Sequence, residues 1–472
     1  MKRIILSVIV LLGMGVRDGY ASDAYLSMAY TNALGNDLPF AIFSKNSWSP
    51  DAAARFVKLH LYFDEPIMVK GLEINTCGSR IKPNLSIFFN FDQWIMHTDQ
   101  SLEGEVPEAL YPEKVGDLLI LKGFEREIEV RSLTFNFEDN SGFRICGLNL
   151  IDPNGKAYNV KTPVLVTGTV DATSTLAPQS AYDPIFLFDS RFEYGWASNK
   201  QAKDVQLTFN FDEPRRVEKI RLWNGYQRSA THCIANSRAR RIKITGDNGY
   251  AQEIEVKDIL GSQLVALPKP FEGRQLKFEI VDAFLGKSYK DLVISEVRFF
   301  DGQTWFMLDP TAKLKEGIES NRQQFAKARV KPLLNDSYSA AKELKSAPYY
   351  VSSNMRIRAD GSFYISGNFG EGDGLQYFAL GNYEIKDANE AKGLKLRLFG
   401  LYYETKIYGD CNGCGRDCNK NSAVDAGTTQ TIFQEFFTIK PGKGGKFEVT
   451  NEKGGKKIKF DNLEYSREVI LK

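Results

Sequence analysis

Histidine is scarce in this chain. Only three occur in 472 residues, at His60, His97 and His232, too far apart in sequence to suggest a common metal site. The motifs G-x-S-x-G and H-E-x-x-H are absent, and Gly286-Lys287-Ser288 is not a full G-x-x-x-x-G-K-S/T because Val281 stands where the first glycine belongs; the recognisable forms of the nucleophile elbow, the zinc peptidase helix and the phosphate-binding loop are thereby removed. The Gly-rich run from Gly367 to Gly374 lacks the G-x-G-x-x-G order, so it is not a phosphate cradle. No excess of one charge exists either. Lys and Arg total 61 against 59 Asp and Glu, a formal charge of +2, and bulk electrostatics then predicts no nucleic-acid partner. Beyond the N-terminus no stretch approaches about 20 apolar residues, so integral membrane insertion is not expected. No cofactor or metal site is expected from these absences.

The content that remains is that of folded protein. Hydrophobic residues make up 43% and charged residues 25%, ordinary for globular domains, and the length suits about three domains of ~150 residues. Residues 1–22 read as an export signal: Lys2 and Arg3 precede an apolar run from Ile4 to Val16, with small residues at Gly19 and Ala21. A secreted, periplasmic or bacterial cell-surface location follows as an expectation. Six cysteines in an exported chain suggest disulfides, with 15 possible pairings. Cys77 and Cys146 can close on each other. Cys411, Cys414 and Cys418 crowd one loop, where a disulfide-pinned tip suits them better than an incomplete zinc or calcium site. Cys233 stands alone.

The chain also repeats itself. Trp48 is followed by FDEP at Phe63–Pro66, and Trp196 by FDEP at Phe211–Pro214; both landmarks shift by one offset, 196 − 48 = 148 and 211 − 63 = 148. A repeat of this length is a duplicated domain. The copies span about 23–162 and 181–308, and the Thr-, Ser- and Pro-containing stretch 163–180 reads as a linker. Short alternating strands such as Val205–Phe211, Val217–Leu222 and Val293–Phe300 argue for β-sandwiches. Asp64-Glu65 and Asp212-Glu213, each before a proline, read as strand-end turns. Residues 309–346 read as a helical connector, with Leu314, Ile318, Phe325 and Val330 near helical spacing. Residues 347–472 read as a separate small β domain whose lysines from Lys440 to Lys459 form a solvated face.

The copies diverge after the shared strand. Aligning Leu85–Ile87 with Ile242–Ile244 changes the offset from 148 to 157, so the second copy carries a loop nine residues longer. That loop holds Asn224, Tyr226, Gln227, Asn236 and Arg238. Amides and a guanidinium suit sugar hydroxyls, and an aromatic face suits a pyranose ring. The same residues also suit a plain loop, Asn224-Gly225 as a turn and Asn236 bonding loop backbone.

The run FDSRFEYGWAS (Phe188–Ser198), FDEP, NGYQRS with a downstream N-x-R, and ISEVRFFDG (Ile294–Gly302) resembles the discoidin-like, coagulation factor V/VIII C-type (galactose-binding-like) domain of the bacterial NAD glycohydrolase translocation or glycan-binding family. The resemblance covers about 183–308. It implies a jelly-roll sandwich that recognises carbohydrate through loops at one end, with Asp189, Arg191, Asn224, Tyr226, Gln227, Asn236 and Arg238 as glycan-binding candidates. Trp196 recurs as Trp48 in the copy without the long loop, so both tryptophans are expected in the core. The glycohydrolase domain itself has no counterpart here. The expectation is therefore a mainly β protein of tandem jelly-roll sandwiches, a helical connector and a C-terminal β domain, binding glycan without catalysis. An exported enzyme with reactive thiols in the C-terminal domain and a structural envelope protein are the alternatives.

Overall fold

The computed structural model describes residues 23–471 apart from 32–37, 44–46, 51–56, 80–84, 91–112, 122–126, 138–142, 192–193, 201, 229, 335–337, 344–349, 370–373, 408–428, 442–446 and 453–468. The stretch read as an export signal, His97 and the loop with Cys411, Cys414 and Cys418 lie outside the described residues.

Alternation builds the first sandwich. Along Val57–Val69, the side chains of Val57, Leu59, Leu61 and Phe63 all face one interior, as the two-residue strand period requires. This strand sits in a five-stranded sheet in the order 85–89, 128–137, 57–69, 23–31, 159–161. A four-stranded sheet, ordered 113–115, 118–121, 71–75, 147–151, supplies the other layer. Cys77 and Cys146 are joined as a disulfide.

The second sandwich repeats the same rungs. Val57, Phe137 and Leu85 lie side by side across three strands, and Val205, Ile280 and Ile242 do so in the second copy. Trp48 bridges Ile145, and Trp196 pairs with Ile294. Both indoles are fully buried, as expected. Strand lengths differ from the sequence expectation. Val205–Asn224 and Gln263–Phe284 are continuous strands running through both layers, which joins nine strands into one sheet.

FDEP explains how a strand can do this. The four residues Phe211–Pro214 lie opposite the single residue Arg274, and Phe63–Pro66 opposite Arg131. Each FDEP is thus a bulge inside a long strand and not a strand-end turn. A bulge bends the strand and tolerates proline, because no ladder bond is lost there.

Two further boundaries move. In the stretch read as a linker, Val164–Val166 pairs with Trp305–Leu308 and Gly168–Ala172 pairs with the Val205 strand. Valines alternating at 164, 166 and 170 favour a sheet edge over a free tether, and Val166 is buried. In the stretch read as a connector, the helix is Thr311–Lys327, while Tyr338–Glu343 already forms the first strand of the C-terminal sheet. That sheet is an eight-stranded antiparallel meander. Phe325, Ala328, Val330 and Leu333, at and beyond the helix end, pack against Phe363, Leu396 and Ile439 within it.

The two sandwiches share one continuous apolar core, and Met28 and Tyr30 of the first meet Trp223 of the second.

Candidate binding site at the domain junction

The long loop begins where the Val205 strand ends. Gly225 takes φ +88°, and a Cβ there would lie 2.7 Å from Arg238 Cγ, so only glycine fits the turn. A short helix, Ala230–Ala235, follows, and the chain re-enters the sheet at Arg238.

Most of the sugar-binding candidates on this loop brace it from within. Asn224 donates Nδ2 to the Ala239 carbonyl at 2.8 Å and accepts the Ala239 N–H at 2.9 Å. Gln227 donates to the Asn224 carbonyl at 2.6 Å and accepts from Gly261 N at 2.9 Å. Asn236 donates to the His232 carbonyl at 2.8 Å. Arg238 makes a bidentate pair with Asp258 at 2.6 and 2.8 Å, and donates to the carbonyls of Cys233 and Asn236. Tyr226 is buried too, its ring under the Arg228 guanidinium at 4.6 Å. This corrects the picture of an open loop site: buried polar groups must be bonded, and here backbone and Asp258 meet that need.

Asp189 and Arg191 stand elsewhere, at the wall of a cavity. Asp183 starts the segment by accepting from Ile185 N at 3.0 Å, capping the Pro184–Leu187 turn. The Arg191 N–H donates to Asp189 at 2.9 Å and to Glu296 at 2.8 Å. Burial raises the Glu296 carboxyl, opposed by the Arg298 charge. The Arg191 guanidinium lies 4.5 Å over the Tyr194 ring and forms an ion pair with Asp360 of the C-terminal sheet. Burial alone would raise the Asp360 carboxyl, but Arg191, Arg358 and bonds from Ser362 outweigh it and hold it below the usual range.

The cavity beside Arg191 measures about 500 Å³ and is walled by all parts of the chain: Leu38, Phe186, Tyr194, Leu314, Asn321 and Asp360 are among its lining. Phe186 and Tyr194 form a tilted ring pair at 5.7 Å. Sequence reasoning missed most of this wall. Tyr194 lies within the Phe188–Ser198 run but outside the candidates that the resemblance implies, while nothing in the sequence ties Asn321 or Asp360 to that run. Among the described residues, no group of three or more His, Cys, Asp or Glu is placed to hold a metal, and no helix is long and apolar enough to cross a membrane.

Residues 162–300 match the family model of the NAD glycohydrolase translocation F5/8 type C domain. The second sandwich is a discoidin-like domain. The match takes in the Gly168 and Val205 strands, the long loop, and the Asp189–Arg191 wall of the cavity. The chain has no match among curated proteins. Solved structures similar to it include one containing the CBM32-1, CBM32-2 and M60 catalytic domains of Clostridium perfringens ZmpB (10% identity, TM-score 0.23, 62% of this chain and 38% of that one). This chain therefore spans well under half of that structure. Others are a family 32 module from C. perfringens NanJ in complex with galactose (15%, TM-score 0.23, 28% of this chain and 90% of that one), and an F-lectin from striped bass, Morone saxatilis (12%, TM-score 0.20, 57% and 94%).

Proposed function

We propose that this chain is an exported, non-catalytic carbohydrate-binding protein whose saccharide occupies the cavity between the discoidin-like domain, the Thr311–Lys327 helix and the C-terminal sheet. The observation that carries the reading is the composition of that wall. An aromatic pair, Phe186 and Tyr194, sits beside the Arg191–Asp360 ion pair, the Asn321 amide, which donates to the Ala359 carbonyl, and the exposed amide of Gln179. Rings cover the C–H faces of a pyranose, and forked polar groups answer its hydroxyls. A volume of about 500 Å³ is in the range of small-ligand sites. Export is supported by the Lys2–Ala21 signal pattern and by the Cys77–Cys146 disulfide, which suits an oxidising compartment.

The test is a glycan-array screen of the full chain beside Gly317→Phe. Gly317 lines the cavity, and a Cβ there meets nothing within 4 Å, so a side chain can start from this position and take up cavity space. Saccharide binding by the native chain and at least a tenfold loss in the variant, at unchanged melting temperature, supports the reading. No binding, or binding indifferent to Gly317→Phe, overturns it.

A further inference from the structure

The nine extra residues of the second repeat call for a purpose, since their polar groups face inward. The first repeat closes the same end with a turn at Thr76–Ser79, bonded by Ser79 N to the Thr76 carbonyl at 2.8 Å and pinned by Cys77–Cys146. The second repeat instead presents Tyr226, Arg228 and His232, and all three are buried. What buries them is the C-terminal sheet. Arg228, 1% exposed, donates through its guanidinium to Asn382 Oδ1. His232 donates to the Gly400 carbonyl. Phe399 packs against Tyr182 at 6.1 Å and joins a cluster with Ala181, Tyr226 and Val293.

We infer that the long loop of the second sandwich is a docking socket for the chain's own C-terminal sheet, with Arg228 as its anchor. The anatomy is that of an interface hot spot: an arginine on an aromatic face, fully desolvated, ringed by apolar contacts that exclude water. The anchor is specific because Arg228 reaches a side-chain oxygen, Asn382 Oδ1, across the interface. Removing either partner takes this bond from the other, which is itself buried, and a bond lost at a desolvated group costs more than one lost in water. The socket also places the cavity wall. Asp360 and the Ala359 carbonyl, which receive Arg191 and Asn321, belong to the same docked sheet. Loss of docking therefore opens the cavity, whether or not a saccharide occupies it.

The experiment is hydrogen–deuterium exchange on the full chain, comparing Arg228→Ala, Asn382→Ala and the double variant. Each single variant is expected to speed exchange at least tenfold in both Gly225–Asn236 and Tyr383–Phe399. Exchange in the Val205–Phe211 core strand stays unchanged, and the double variant is no faster than either single one. Unchanged exchange on the opposite face, or additive effects, overturns the assignment, because Arg228 then supports only its own loop. Should Arg228→Ala expose Val205–Phe211 and so unfold the sandwich, Asn382→Ala and Phe399→Ala decide. Both lie on the sheet side, and both must loosen Gly225–Asn236; protection retained there overturns the inference. None of these readouts involves a saccharide, so failure of the cavity reading leaves the result intact.

Discussion

Asp64 of the first sandwich forms an ion pair with Arg221 of the second, and it does so from the FDEP bulge that both repeats carry. Its other oxygen accepts from Trp305 Nε1 at 3.1 Å, and the Arg221 guanidinium lies 5.2 Å over the same indole. Burial lowers Arg221 to about 10, which leaves it charged at neutral pH. The equivalent aspartate, Asp212, is exposed. Asp64→Ala is therefore expected to cost about 3 kcal/mol, the scale for stranding a buried charge. Asp212→Ala is expected to stay within about 0.5 kcal/mol. Thermal unfolding of the two variants side by side checks the difference, and equal shifts would refute it.

Acid is expected to weaken the first sandwich through His60. Its Nδ1 shares a 2.8 Å hydrogen bond with Thr134 Oγ1, and its Nε2 has no partner among the described residues. Burial lowers its pKa from 6.5 to about 3. The unfolded chain takes up a proton below about 6.5 that the native state refuses until about 3. Stability from this group is complete above that window and falls through it as pH drops, by about 1.4 kcal/mol per unit at most. Melting temperatures between pH 7 and 4 should show a shallower acid loss in His60→Gln than in the native chain.

Reducing Cys77–Cys146 should loosen the first sandwich most. The linked residues are 69 apart, and chain entropy over such a loop corresponds to about 4 kcal/mol. Scans with and without reductant should show a lower melting temperature when the bond is reduced, and hydrogen exchange should rise first in the strands of the first sandwich. Cys233 is buried, and burial pushes its thiol up to about 11. Alkylation mapped by mass spectrometry should therefore leave it unmodified until the second sandwich unfolds.

Asn224→Ala is expected to act on stability before binding. It strips two hydrogen bonds from the buried Ala239 backbone, a loss of about 2 kcal/mol. Gly225→Ala should be at least as damaging, because φ +88° and the Arg238 stem leave no room for a methyl. A melting temperature unchanged in either variant would show that the loop is not braced as described.

Periodicity and duplication made much of the fold legible from residues alone. Alternating Val, Leu and Phe set which side of each strand faces inward, because the strand period is two whatever lies opposite. The shared offset of Trp48 and Trp196 marked two copies of one core, and the change of offset after Leu72 and Ile220 located the longer loop. Those are local or self-referential signals, and sequence carries them whole. Whether Asn224, Gln227, Asn236 and Arg238 face solvent or one another was not among them. An amide serves a sugar hydroxyl and a backbone carbonyl equally well, and only the neighbours reveal which it meets. The FDEP bulges, the strands within 163–180 and the Arg228–Asn382 contact are likewise set by partners far along the chain. Asp64 and Asp212 show the point most simply: identical tetrapeptides, one half-buried against Arg221 and one exposed, because the second sandwich covers only the first copy.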